Sequence, residues 1–565
     1  MVGLSLFTRS RRPSEPQPAT PDDRAAHVRT RRIAARVLTG LACLLVFLAL
    51  VAPNQLADLT PGAFLRIPVE GLVGVALVLV LPGRARRVVA VLAGVSLGLL
   101  TILKIVDVGF FAVLGRPFDL LFDWPLLHAA TDFLTGSIGW AGAIGAVVAA
   151  AALAAAVLVL VTLAVRRLTR LVVRRKAAAT RAVAALTAVW VGCALLGAQI
   201  VPNVPVAAHS AAAFASDRVL QVSASLRDQR TFAAELATDA FRDTPGDRLL
   251  TGLRGKDVAL VFVETYGRVA IEDPEFGPQV GAVLEAGTRR LAAAGFSSRS
   301  AFLTSSTAGG GSWLAHSTLL SGLWIDNQRR YHDLEASDRL TLTRAFGRAG
   351  WRTVGIMPGV TSPWPQAAFY GYDQVYDSTH LGYHGPRFSW ATMPDQYTLA
   401  AFERLERDRS GRAPVMAEIP LVSSHAPWSP IPRLVDWNDV GDGSVFDSMA
   451  AEGAPPEAIL TRDPDRVRTD FRRSIEYSLS SLISYVETYG DDDLVLIVLG
   501  DHQPAPVVTG ENAGRDVPIT VVARDPAVLD RISGWGWQEG LKPGPQAPVW
   551  RMDSFRDRFL GAFGP

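Results

Sequence analysis

"LIVLGDHQPAP", residues 496–506, sets an apolar run of strand type directly against an acid and an imidazole. A strand buried on both faces reads as a continuous apolar stretch, and it normally leaves the sheet through residues chosen for turn shape. Here the exit carries Asp501 and His502 and then two prolines, so the neighbouring strands decide whether this turn bears chemistry. The pattern recurs upstream in "DVALVFVET" (257–265), "WRTVGIMP" (351–358) and "VMAEIPLVSS" (415–424), with a further strand expected at 298–304. Amphipathic stretches separate these runs: 279–294, a helix from about 313, "QYTLAAFERLERD" (396–408) and "RTDFRRSIEYSLSSLISYVETYG" (468–490). Apolar strands alternating with amphipathic helices predict an α/β domain over 257–565, with a central, mostly parallel sheet covered on both faces. Ligands of such sheets gather at the carboxyl ends of the strands.

Each strand end carries a polar constellation. "VFVETYGR" (261–268) puts Glu264 at one tip, "LGDHQP" puts Asp501 and His502 at another, and "LVSSHAPW" (421–428) puts His425 at a third. "TSSTAGGGSWLAHSTLLSG" (304–322) joins a strand to a helix through glycines and hydroxyls, with Ser312 near the helix start. Two carboxylates and an imidazole on one edge suit a hard-to-borderline divalent cation, and a helix amino terminus welcomes a phosphate-like group. Taken singly, each residue has a plain structural reading: a solvated turn carboxylate, a hydrogen-bonded loop histidine, a flexible glycine turn. Their conjunction points to a site. The glycine run leaves the register of the nucleophile open, with Thr307, Ser305 and Ser306 as alternatives to Ser312. His316, one turn after Ser312, is read as a supporting or packing residue, and His380, His384 and Arg387 as part of a loop over the site or an ordinary surface loop. Tyr266 and Arg268 are read as shaping the pocket, and Trp324, Trp390 and Trp428 as core or pocket wall.

The first part of the 565-residue chain is of another kind. Residues 1–32 are polar, Pro- and Arg-rich and read as a disordered cytoplasmic tail. Apolar runs follow at roughly 35–53, 68–82, 88–111, 140–165 and 180–201; about 20 residues are needed to cross a bilayer, so four qualify and the second is short. Basic residues crowd "RTRRIAAR", "GRARR" and "RRLTRLVVRRKAAATR", whereas loops 54–67 and 112–139 nearly lack them. That alternation predicts about five spans, the amino terminus in the cytoplasm, and everything after about 202 outside the plasma membrane. Lys104 and Asp107, near the outer end of the third span, are expected to be interfacial or paired. Residues 33–202 are thus read as the transmembrane domain, 203–256 as a helical linker, and 257–565 as the extracellular domain. Both cysteines, Cys43 and Cys193, fall in spans, so the outer domain is expected to stand on its core without disulfides. A net charge of +2 with no basic surface gives no reason to expect nucleic acid.

With "VFVETYGR", "SWLAHSTLLSG", "SSHAPW" and "GDHQP" in this order behind a set of spans, the chain resembles the alkaline phosphatase and sulfatase superfamily. Within it, the plan is similar to the membrane-bound branch of lipoteichoic acid synthases and phosphoglycerol transferases. The resemblance implies Glu264, Ser312, Asp501 and His502 as ligands of one divalent ion, with Mn²⁺ ahead of Mg²⁺ and Zn²⁺. It further implies Ser312 as nucleophile and His425 as a contact to the substrate phosphate. It places Trp364 at the donor headgroup, although Gln366 stands where that branch has an Arg. The sulfatase pattern C/S-x-P-x-R is absent from "SWLAH", and the second-metal ligands are missing, since Leu421 precedes His425 by four and no His follows His502.

The expected activity is transfer of a phospholipid headgroup, of phosphoglycerol type, to a cell-envelope glycolipid or polymer through a phospho-Ser intermediate. The alternatives are a phosphodiester or sulfate-ester hydrolase of the same fold, and an inactive membrane scaffold or sensor.

Overall fold

The computed structural model describes residues 21–201, 204–452, 463–510 and 513–565. The first part of the expected tail, 1–20, lies outside them. From Pro21 the chain is helical, which corrects the disordered reading of 21–32: proline at the first helical position, two aspartates in the first turn and an Ala- and Arg-rich continuation all favour a helix.

Six helices come first: α1 (Pro21–Val51), α2 (Val69–Val80), α3 (Gly83–Leu114), α4 (Trp124–Arg174), α5 (Lys176–Leu195) and α6 (Ser210–Ala237). Four segments are long and apolar enough to cross a membrane, namely Arg29–Val51, Gly83–Leu114, Ile138–Arg174 and Lys176–Leu195; Val69–Val80 is the short fifth. Where α3 meets α4, Gly94 and Gly98 face Thr162 and Leu158 so closely that a Cβ on either glycine would lie within about 3 Å of them. Small residues four apart let two such helices approach backbone to backbone. The helical linker ends at Ala237, and 238–256 runs through short turns.

The chain forms two compact units, and their boundary is not the linear one at 202. One unit comprises residues up to 53, 59–102 and 153–214; the other comprises 54–58, 103–152 and 215–565. Charged contacts within the second explain part of this. Asp107 of α3 is buried against Arg218 of α6 and accepts from Asn54 and from the Phe118 amide, so an acid in a span candidate is paired, as expected.

In the second unit the strands are β1 (Asp257–Val263), β2 (Ser297–Thr304), β3 (Arg352–Met357), β4 (Gln374–Asp377), β5 (Val415–Leu421), β6 (Leu494–Gly500), β7 (Asp516–Ala523), β8 (Gln538–Glu539) and β9 (Val549–Arg551). They form one nine-stranded sheet in the order β8-β2-β7-β6-β1-β5-β3-β4, with β9 also on β2. Strands β6, β1, β5, β3 and β4 pair in parallel, while β7 runs against both β6 and β2. The mostly parallel sheet is therefore as expected, and β4, β7, β8 and β9 are additions.

Every residue of β1 is buried, with Ala259, Val261 and Val263 in one apolar cluster and Val258, Leu260 and Phe262 in the other. The first cluster includes α7 (Gly277–Ala293) and α9 (Pro464–Tyr489), and the second includes α8 (Ser312–Ser321). This double cover explains why the central strands show no polar alternation.

Candidate active site

Register puts the site residues side by side. Gly500 of β6 pairs with Val263 of β1, which in turn pairs with Leu421 of β5, so Asp501 and Glu264 leave the sheet at one level beside Val422. Gly500 is needed for this crossing, because a Cβ there would lie 1.8 Å from the carbonyl oxygen of Tyr266. Thr265, between Glu264 and Tyr266, adopts φ +56, an unfavourable region for a β-branched side chain. Its amide donates to Asp501 Oδ1 at 2.9 Å and its hydroxyl to the Ser424 carbonyl at 2.7 Å, while Trp428 Nε1 donates to it from 3.3 Å. The turn is held from three sides.

Ser312 is the first residue of α8, after Gly311 in the left-handed region at φ +83. Its hydroxyl lies 3.0 and 3.1 Å from the two Glu264 carboxylate oxygens and 3.2 Å from His502 Nε2. His502 Nδ1 donates to the Gln503 carbonyl at 2.8 Å, which orients the ring and leaves Nε2 facing the cluster, 3.3 Å from Glu264 Oε1 and 3.5 Å from Asp501 Oδ2. Asp501 spends Oδ1 on the amides of Thr265 and His502, whereas Oδ2 is buried without a hydrogen-bond partner.

Glu264, Asp501 and His502 each offer a ligand atom within 4.8 Å of the others, and all three are buried. An orphaned carboxylate oxygen in such a set is what a cation would complete, and two carboxylates, an imidazole and a hydroxyl form a donor set for Mg²⁺, Mn²⁺ or Zn²⁺. The residues present fit a divalent ion.

Charges here are strongly displaced. Burial would push the Glu264 carboxyl up, but the His502 hydrogen bond, the charges of His425 and His502 and the Ser312 bond hold it well below the usual range. Asp501 goes the other way, raised by burial and by the Glu264 charge against partial relief from His502 and His316. Burial would lower His502, yet Asp501 and then Glu264 outweigh it and raise the ring to about 9. Without an ion, His502 is an imidazolium between two acids. Burial lowers His425, with Glu264 acting against it.

Of the four candidate hydroxyls, Ser312 is the one in contact with these groups. Ser305 donates to the Asp501 carbonyl at 2.6 Å, Ser306 accepts from Thr318 at 2.9 Å, and the Thr307 hydroxyl is buried without a partner. His425 stacks on Trp390 with ring centroids 3.6 Å apart, and Arg387 donates to the Trp390 carbonyl. Trp364 packs beside Tyr370 and Tyr372, and no described contact joins it to Ser312. His380 and His384 are exposed beside Asp377 and Asp442. Trp324 lies under Arg551. Arg268 pairs with Asp516 and Glu272.

Sequence reasoning missed a buried chain behind α8. His316 is stacked on Phe262, and its Nδ1 lies 3.0 Å from Glu418 Oε1, while the Tyr372 hydroxyl donates to Glu418 Oε2. The available signal was Glu418 itself, one carboxylate inside the apolar strand "VMAEIPL".

No family model matches the chain, and no curated protein does. Solved structures similar to it include the lipoteichoic acid synthase LtaP of Listeria monocytogenes, at 14% identity over 56% of this chain and 76% of that one, with a TM-score of 0.36. Another is the C-terminal periplasmic domain of EptC of Escherichia coli, at 12% identity over 55% and 82%, with a TM-score of 0.37. A third is the Streptococcus pyogenes phosphoglycerol transferase GacH in complex with sn-glycerol-1-phosphate, at 12% identity over 60% and 91%, with a TM-score of 0.33.

Proposed function

We propose that the protein is a metal-dependent phosphoester transferase that moves a phospholipid headgroup, of phosphoglycerol type, onto a cell-envelope acceptor through a phospho-Ser312 intermediate. The observation that carries this reading is the Ser312 hydroxyl at a helix amino terminus, in contact with both Glu264 oxygens and His502. A hydroxyl so placed attacks phosphorus once its proton is taken up, and the helix terminus offsets charge on the phosphoryl oxygens. Glu264, Asp501, His502 and the Ser312 oxygen would hold the divalent ion, which supplies charge neutralisation and an acidified hydroxyl.

The remaining steps belong to the side chains. Ser312 Oγ forms a bond to phosphorus as the bond to the lipid alcohol breaks, and the alcohol leaves with a proton. His425, stacked on Trp390, is assigned the contact to the phosphoryl oxygens from the motif resemblance, and its electrostatic coupling to Glu264 supports that reading. An acceptor hydroxyl then displaces Ser312 in a second in-line step and gives up its proton to the site. With the carboxyl-terminal part of α3, from Leu103 on, in one compact unit with the sheet, the site is tied to the end of a span candidate, which keeps lipid donors at high local concentration. Trp364 is assigned to the donor headgroup from the motif resemblance, and the cytoplasmic amino terminus and extracellular site from the loop charges.

The test is incubation of the full-length, Mn²⁺-loaded protein with labelled phosphatidylglycerol or phosphatidylethanolamine. Diacylglycerol release from phosphatidylglycerol is expected, with the label on an acceptor rather than free. Release from neither lipid overturns the reading, and free labelled headgroup alone makes the protein a hydrolase.

A further inference from the structure

Behind the glycine-rich loop lies a cavity of about 90 Å³ with both polar and apolar walls. Leu114 and Arg116, at and just beyond the carboxyl end of α3, form one wall; Thr307, Gly310, Gly311 and Arg515 form another. Two residues of its wall carry unmatched polar groups. The Thr307 hydroxyl is buried, with 8% of the residue exposed, and has no hydrogen-bond partner. Arg515 donates to the Ser306 carbonyl at 2.9 Å and has no carboxylate within ion-pair distance among the described residues. Arg116, by contrast, is matched: its guanidinium makes bonds of 2.5 and 2.8 Å to the two Asp123 oxygens. Asp326, also in the wall, is held by the side chains of Trp324 and Asn327 and lies 3.9 Å from Arg330.

We propose that this cavity is an anion subsite, separate from the Ser312 cluster, that binds one phosphate group of a mono- or diester through the Arg515 guanidinium and the Thr307 hydroxyl. A guanidinium offers a planar fork of donors matched to two phosphate oxygens, and a hydroxyl supplies one further donor. The volume admits a tetrahedral oxyanion in place of a few waters. Burial and the nearby Arg116 charge both disfavour the Arg515 cation, with Asp326 acting against them, so an anion entering the cavity gains from relieving it. Ala308 and three glycines separate Thr307 from Ser312 on the chain, and Gly310 and Gly311 line the cavity themselves, so an occupied cavity would brace the Ser312 loop from behind. The wall contributed by α3 makes a lipid phosphate one source and free phosphate the other. The proposal does not depend on the reaction at Ser312.

The test is the rate at which phenylglyoxal modifies Arg515, read by peptide mapping, in full-length Ser312→Ala protein. Detergent micelles without phosphate give the reference rate. Inorganic phosphate at millimolar concentration, and bilayer discs of phosphatidylglycerol against discs of phosphatidylcholine, supply the two sources. At least fivefold slowing by phosphate identifies a free-anion site, and slowing confined to phosphatidylglycerol discs identifies a lipid site. Equal rates in every condition overturn the proposal. Thr307→Val should weaken the protection while leaving the reference rate unchanged; full protection in that variant would remove the hydroxyl from the site and overturn the assignment.

Discussion

The hydroxyl of Ser312 sits between the two oxygens of Glu264, 3.0 Å from one and 3.1 Å from the other, so the first residue of α8 and the tip of β1 share one proton. If Ser312 is the nucleophile, Ser312→Ala lowers turnover by at least about 10³-fold. Mass spectrometry of protein quenched during turnover should find phosphate on the Ser312 peptide. An adduct on Thr307 instead would move the nucleophile five residues upstream.

Removing one ligand should remove the ion while sparing the fold. Asp501→Asn keeps an acceptor for the Thr265 and His502 amides but replaces the orphaned Oδ2 with an amide nitrogen. Metal analysis of the purified full-length variant is expected to show less than a tenth of the wild-type content, with a melting temperature close to that of metal-free wild type. Unchanged metal content would contradict the ligand assignment.

Metal uptake should release protons. His502 is raised to about 9 in the metal-free site, chiefly by Asp501, so at pH 7 it carries a proton that coordination must displace. Apparent metal affinity is therefore expected to climb as pH rises toward 9. The stability that this charge lends the metal-free fold is complete below the ordinary value of 6.5 and disappears as pH passes 9. Calorimetric titration at pH 7 in buffers of different ionisation enthalpy checks the release; no buffer dependence would argue that His502 is neutral or is not a ligand.

Asp395 offers a pH test away from the metal ligands. It is fully buried, accepts from the Ser423 amide at 2.9 Å and from the Ser478 hydroxyl, and burial raises its carboxyl from 3.8 to about 6. The stability tied to its protonated form is complete below 3.8 and lost as pH rises through 6, a cost of about 3 kcal/mol at neutral pH. Asp395→Asn should therefore raise the melting temperature at pH 7.5 and raise it less at pH 5. A benefit that is larger at pH 5 would reverse the assignment.

Gly500→Ala should be severe. The added Cβ meets the Tyr266 carbonyl at 1.8 Å, backbone that cannot turn aside as a side chain would. A loss of about 3 kcal/mol or more is expected, along with weaker metal binding, because the two strand tips must separate. Denaturant titration with a shift of less than 1 kcal/mol, a bound set by ordinary surface substitutions, would show that the turn relaxes freely.

The strands that carry the site were legible because they are buried on both faces. After Asp257, "VALVFV" is wholly apolar, as is "LVLIVLG", and their carboxyl ends coincide with Glu264 and Asp501. Strand β7 was missed although "DVPITVVA" is of the same apolar type. Its proline suggests an edge or a loop, and nothing local reveals that it runs antiparallel between β6 and β2. The Tyr372–Glu418–His316 chain joins residues up to 102 positions apart and exists only after the sheet and α8 have packed. The orphaned Thr307 hydroxyl was likewise invisible, since a sequence records a donor without recording whether it finds an acceptor. The tilt of the domain boundary was unreadable for the same reason: Asp107 announces that a span needs a partner but not that the partner is Arg218.

Gly309 has φ +73, and a side chain there would collide at 1.8 Å with the carbonyl oxygen of Val113, in the last turn of α3. The loop that leads into Ser312 thus rests on the end of a helix apolar enough to cross a membrane. A fragment starting after the last such helix would retain the whole sheet and every candidate ligand while lacking the floor beneath that loop. The sheet-bearing half of this chain is therefore not autonomous in the way its linear order suggests: cutting it free for crystallisation or assay removes part of the support beneath the Gly309 loop that leads into Ser312.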